Sequence, residues 1–335
     1  MEGGEFLASG SYGCAFKMPV RCSDDQDKQE KYYFQGVGKL FGHHRNANDE
    51  YQKYLQVKKM DPGHEWSLPL LHACSVVSFE MKDKAKLCEH VEKQGSTDHS
   101  YMQLIYKDGG TDLSSWVKQY KKKSNASKRR IFVSLITKHL GTVIEGLTKI
   151  SQSGYVHLDI KPPNILFDKK QLYIIDFGLL TEQSKLYVTK NKSLLSYQYP
   201  YYPPEFKLYS LRKPLSLKSF QTSVLDNMKH RPQTPEETET MNKQLARFYK
   251  VIKSKCPRMD KAFLSDELKS MTDRVDIYSL GISLWYIYRQ MIIKDDETTL
   301  KIKTLIDKMR NANPYERITL DELKVEFDSF RNYSV

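Results

Sequence analysis

A chain of 335 residues, 39% apolar and 28% charged, is long enough for one large domain or two lobes and can bury a sizeable core. Its 16 glycines and 13 prolines are no enrichment, which excludes a low-complexity chain and predicts that most of it is ordered. The net charge of +12 points to acidic partners such as nucleic acid, an anionic membrane or acidic protein, and is equally consistent with plain solubility and nucleotide binding.

The first hundred residues read as short strands with one helix. FLASGSYG and CAFKM bracket a glycine turn, and KYYFQGVGKLF alternates like a strand. NANDEYQKYLQVKKM has helical spacing and stops at Asp61-Pro62; SVVSFEM and SYMQLIY are further strands. After Gly109-Gly110 the pattern turns helical, with DLSSWVKQY and then the long amphipathic RRIFVSLITKHLGTVIEGLTKISQSG. YVHLDI and QLYIIDFG are short strands. Residues 207–269 are polar and mostly helical, helices resume at Val275, and no internal repeat is present. The expected fold class is α+β in two lobes, a small strand-rich part over 1–105 and a large helical part over 106–335.

Five scattered cysteines (Cys14, Cys22, Cys74, Cys88, Cys256) without a C-x-x-C pair predict neither disulfides nor a structural zinc site, and favour a reducing compartment. No basic-then-apolar leader opens the chain. The most apolar long window, Ile277 to Ile293, is interrupted by Ser, Gly and Arg and reads as a buried helix, not a membrane span.

Four stretches carry residues suited to phosphoryl transfer. LASGSYGCAF supplies Gly10 and Gly13, whose missing Cβ lets backbone N–H groups approach phosphate; a hairpin turn would look the same. GVGKLF places Lys39 in an apolar strand, where it is either a surface lysine or paired with a carboxylate of the next helix, for which Glu50 reaches further than Asp49. HLDIKPPNIL sets Asp159, Lys161 and Asn164 on one loop. There Asp159 suits a hydroxyl proton, Lys161 a transferring phosphoryl group and Asn164 a metal. Twelve residues beyond Asn164, Asp176 of IIDFG offers a second hard oxygen ligand.

In these motifs the chain resembles the eukaryotic-type protein kinases over nearly its full length. The matching residues are Gly10 and Gly13, Val37-Gly38-Lys39, His157-Leu158-Asp159 with Asn164, Asp176-Phe177-Gly178, and Pro203-Pro204-Glu205. Asp276 in DIYSLG resembles the aspartate that anchors the catalytic loop, and Arg317 resembles the arginine that pairs with the Pro-Pro-Glu carboxylate. The resemblance implies a bilobal kinase fold that uses ATP and Mg²⁺ and has a protein substrate. ATP would lie between the lobes, beneath a loop including Ala8, Gly10, Ser11 and Gly13. Lys39, held by Glu50, would contact phosphates. Leu104 would guard the back pocket, while Ile105 and Tyr106 to Lys107 would meet adenine and Thr111 or Asp112 the ribose. Asn164 and Asp176 would hold Mg²⁺, and Asp159, with Lys161, would serve the acceptor hydroxyl. Lysine two positions after Asp159 looks like the serine/threonine branch.

Several departures qualify that likeness, among them a short Lys39-to-Glu50 interval. Ala8 replaces the first loop glycine, and Leu158 replaces the arginine that often reads an activation-loop phosphate, which suggests activity independent of that phosphate. Gln198 stands where a threonine usually sits, and residues 207–269 look like an insertion near the substrate face. A pseudokinase scaffold and a small-molecule kinase on the same fold are the competing readings. YPYYPPEF and GVGKLF look like kinases of large DNA viruses, which would place the protein in host-cell cytoplasm or virions. KQYKKKSNASKRR, Lys118 to Arg130, reads as a solvated loop, a nuclear-import signal, or a docking patch for nucleic acid or acidic protein.

Overall fold

The computed structural model describes residues 4–9, 13–23, 32, 35–77, 88, 100–188, 199–210, 216–228 and 233–330. Gly10, Ser11, Gln198 and the end of SVVSFEM lie outside these residues. The chain divides into two units, Met1–Gly110 and Thr111–Val335. One is strand-rich and the other helical, which is the α+β class read from the sequence.

In the first unit β1 (Glu5–Ser9), β2 (Gly13–Lys17), β3 (Gly36–Phe41), β4 (Leu70–Val77) and β5 (Ser100–Lys107) form an antiparallel sheet in the order β1-β2-β3-β5-β4. Strand alternation gives the sheet two apolar faces. Cys14, Phe16, Leu40, Val76 and Ile105 pack on one. Phe41 and Leu104 lie on the other and meet Ala47 of helix α1 (His44–Met60). β3 thereby presents Lys39 on the same face as Phe41, toward α1. Gly13 is required where β2 passes β3, because a Cβ there would lie 2.2 Å from the Leu40 carbonyl oxygen.

The cysteines correct the sequence expectation. Cys14 is bonded to Cys88, and Cys22 to Cys74, while Cys256 is free and buried. Spacing along the chain could not show this, because sheet formation does the pairing: Cys22 sits in a β-bridge to Val76, beside Cys74 on β4. His72 places a ligand atom within 4.8 Å of Cys22 and Cys74, but those sulfurs are joined to each other and offer no thiolate to a metal.

The second unit opens with β6 (Thr111–Asp112) and α2 (Leu113–Gln119), followed by α3 (Asn125–Gln152). α3 starts four residues before the RRIF stretch because the Ser124 side chain accepts the Ser127 N–H as an N-cap. Among the described residues α3 is the one helix long and apolar enough to cross a membrane, and most of that stretch is buried. β7 (Tyr155–Val156) pairs with β10 (Thr181–Glu182), and β8 (Ile165–Phe167) pairs with β6 and β9 (Leu172–Ile174). α4 (Gln183–Leu186), α5 (Pro204–Ser210), α6 (Leu217–Asn227), α7 (Pro235–Lys255) and α8 (Lys261–Lys269) follow, then α9 (Val275–Met291), α10 (Glu297–Met309) and α11 (Leu320–Phe330).

The helices within 207–269 are integral to the core. Phe220, Val224, Leu245, Phe248, Ile252 and Leu268 share one buried cluster with Leu158, Tyr202, Phe206, Tyr278 and Ile282. α7 begins with a capping box, Thr234 with Glu237, and Glu237 also accepts the Trp285 indole N–H at 2.8 Å, tying it to α9.

Candidate active site

In the first unit the Lys39 ammonium lies 2.6 Å from a Glu50 carboxylate oxygen, with side-chain exposures of only 18% and 9%. β3 alternation and the α1 face bring them together, which sets an opposite charge beside a half-buried lysine. The other Glu50 oxygen accepts the Tyr106 hydroxyl at 3.4 Å. Leu104 and Ile105 are buried on β5, and Tyr106 is half-buried. Lys107 is exposed and its backbone N–H donates to the Pro69 carbonyl at 3.0 Å. That donor is therefore engaged within the unit. Ala8 is exposed on β1, and Gly13 is buried at the start of β2.

In the second unit the HLDIKPPNIL loop is built from a shorter strand than YVHLDI suggests. β7 ends at Val156, since Leu158 takes a left-handed backbone, φ 65°. The buried Asp276 carboxylate holds that conformation, accepting the N–H of His157 at 2.7 Å and of Leu158 at 3.0 Å. Burial pushes the Asp276 carboxyl up from its ordinary value, against the pull of His157 and the two backbone donors. Pro162–Asn164 then forms one 3₁₀ turn, which carries Asn164 back toward Asp159.

The loop converges on the Asp159 carboxylate, which is 8% exposed. Its Oδ2 accepts the Asn164 amide at 2.8 Å, and the Lys161 ammonium lies 2.9 Å from the same oxygen as an ion pair. Its Oδ1 accepts the Tyr199 hydroxyl at 2.8 Å. The Asn164 amide nitrogen also donates to the Asp159 carbonyl at 2.9 Å. Both bonds come from nitrogen, which leaves the Asn164 oxygen to serve as a hard ligand. The Asn164 carbonyl accepts the Ile175 N–H at 3.0 Å, and Asp176 follows in a left-handed turn, φ 62°. The Phe177 ring packs on His157, centroids 5.1 Å apart.

Thr111 is half-buried on β6, and the Asp112 carboxylate caps α2 by accepting the Ser115 N–H. Arg317 makes a bidentate pair with Glu205, at 2.7 and 3.0 Å, inside the core. In the basic stretch Lys121, Lys122 and Lys123 are exposed, Lys128 is buried and Arg129 pairs with Asp296. Tyr199 is the contact that sequence reasoning missed. Its motif was visible in SYQYPYYPPEF, but nothing local marks which of four tyrosines reaches Asp159.

A family model described as "Protein kinase domain" matches residues 76–327. The chain is 32% identical over 82 residues to the mouse "Dual specificity protein kinase TTK", a match covering 24% of this chain and 9% of that protein. It is 30% identical over 141 residues to the Dictyostelium discoideum "Probable serine/threonine-protein kinase fnkE", covering 34% and 10%. The matches thus span about a tenth of each relative's length.

Proposed function

Because the chain belongs to the protein kinase domain family, we propose that it transfers the γ-phosphate of ATP to a serine or threonine hydroxyl of a protein. The observation that carries this reading is the Asp159 carboxylate, held by Lys161 and Asn164 on a loop pinned by Asp276.

Phosphoryl transfer asks little covalent chemistry of a protein, so positioning and charge supply the catalysis. Asp159 orients the acceptor hydroxyl and takes its proton. Lys161, beside it, steadies the charge of the phosphoryl group in transit. Lys39, paired with Glu50, holds the nucleotide phosphates, with Gly13 and Ala8 in the loop above them. Leu104, Ile105 and Tyr106 supply the adenine contacts. The free amide oxygen of Asn164 and the carboxylate of Asp176 fit Mg²⁺. That ion supplies charge neutralisation on the phosphates when bound.

Leu158 supports independence from activation-loop phosphorylation. It is 1% exposed in an apolar cluster, where an arginine would be needed to read a phosphate. Lysine at position 161 supports the serine/threonine branch. The likeness of YPYYPPEF and GVGKLF to kinases of large DNA viruses supports a place in infected-cell cytoplasm or virions, and the exposed Lys121 to Lys123 would suit an acidic partner.

The test is transfer of labelled γ-phosphate from ATP with Mg²⁺ to a mixture of acidic and basic proteins, using phosphatase-treated enzyme. Wild type should label serine or threonine. Asp159→Asn should lose the transfer while still binding ATP in a thermal-shift assay. Equal turnover by the two would refute the role of Asp159, and no turnover by either, with ATP bound, would favour a scaffold.

A further inference from the structure

A carboxylate has four lone-pair sites, two on each oxygen. On Asp159 Asn164 takes one site on Oδ2, the Lys161 ammonium forms an ion pair with the same oxygen, and Tyr199 takes one site on Oδ1. We infer that Tyr199 is a positioning residue for phosphoryl transfer, which fixes the Asp159 carboxylate and leaves one Oδ1 lone pair to receive the acceptor hydroxyl. This rests on the kinase reading above.

The geometry around the phenol is that of a fixed donor. The Tyr199 ring packs edge-on against Tyr202, centroids 5.0 Å apart, and tilted against Tyr201 at 5.2 Å. The Lys161 ammonium lies 5.6 Å from the centre of the same ring. One side chain thereby touches both groups of the loop that act on the reaction, Asp159 through its hydroxyl and Lys161 through its face. Burial, and then the adjacent Asp159 charge, raise the Tyr199 hydroxyl far above its ordinary value, so it stays protonated and can only donate to that carboxylate. A phenol in this place constrains the carboxylate in two ways. It stops rotation about the Cβ–Cγ bond, and it occupies one Oδ1 site. An acceptor must approach from the remaining side.

The test compares wild type, Tyr199→Phe, Asp159→Asn and the double variant as full-length chains, measuring kcat, KM for ATP, thermal midpoint and the site of any incorporated phosphate. Tyr199→Phe keeps the ring, its packing and the face toward Lys161, and removes only the donor. A hydrogen bond to a charged group is worth enough that kcat should fall about tenfold to hundredfold. KM for ATP should stay at its wild-type value, and the thermal midpoint should fall by no more than one buried hydrogen bond is worth. The double variant should be no slower than Asp159→Asn, since the phenol acts through that carboxylate. Wild-type kcat in an active Tyr199→Phe enzyme would overturn the inference alone. So would a loss carried by KM or by the thermal midpoint, and so would phosphate on Tyr199 itself, which would make it an acceptor. A wild type that transfers no phosphate would overturn the kinase reading, and this inference with it.

Discussion

Arg317 and Glu205 have side-chain exposures of 0% and 1%, and the guanidinium also donates to the Asn311 and Arg274 carbonyls and lies over the Tyr278 ring at 4.8 Å. Removing one partner leaves an uncompensated charge in the core, which costs about 3–5 kcal/mol. Arg317→Met should therefore lower the free energy of unfolding in urea by that amount, and Arg317→Met with Glu205→Leu should recover much of it, because no charge is then stranded. A single variant as stable as wild type would show that the pair contributes nothing. At this scale the sequence was readable wherever partners lie close along the chain. Asp159, Lys161 and Asn164 share one loop, so their spacing alone announced them. Lys39 and Glu50 were readable from strand alternation followed by a helix, eleven residues apart. Tyr199 was not, because its bond to Asp159 spans forty residues and exists only once α5 and the loop are in place.

Element boundaries depend on such contacts more than on propensity. YVHLDI reads as a strand, yet Asp276 on α9 takes the N–H groups of His157 and Leu158 and bends the backbone out of β geometry after Val156. The helices of 207–269 were legible as helices, but their place in the core was not, since their apolar positions show a period and not a partner. α10 shows what a cap contributes. Asp296 accepts the Thr299 N–H at 2.9 Å and pairs with Arg129 of α3, and chiefly the Arg129 hydrogen bond, with the cap beside it, holds its carboxyl down at about 2, from an ordinary 3.8. A folded value below the unfolded one means that the stabilisation is fully present above about pH 4 and drains away as pH falls toward about 2. Asp296→Asn should melt below wild type at pH 7, and the gap should close across that acid window. The side chain is 40% exposed, so the gap should be small and should shrink in high salt. A gap that is constant from pH 7 to pH 2 would remove the carboxylate from the explanation.

The two units have separate cores and different supports. The second is held by a large apolar interior around α3 and α9. The first is small, and its sheet carries both disulfides, nested at sequence separations of 74 and 52. Small units gain most from cross-links, because they bury less apolar surface per residue. Closing the outer loop restricts the unfolded chain by about 4 kcal/mol, and the inner bridge adds less, since its ends are already confined. Against a typical total of about 5–15 kcal/mol, that is enough to decide whether the sheet persists. Treatment with dithiothreitol, followed by hydrogen exchange, should therefore show loss of protection in β2 to β5 and α1 while α3 and α9 stay protected. Phosphate transfer should fall in parallel, since Lys39 and Glu50 are placed by that sheet and its helix. If the first unit keeps its protection after full reduction, its apolar faces alone sustain it. The protein would then keep its fold in the reducing compartment that the scattered cysteines first suggested. If the first unit opens, an oxidising setting becomes a condition of activity, because the pair that would hold the nucleotide phosphates depends on it.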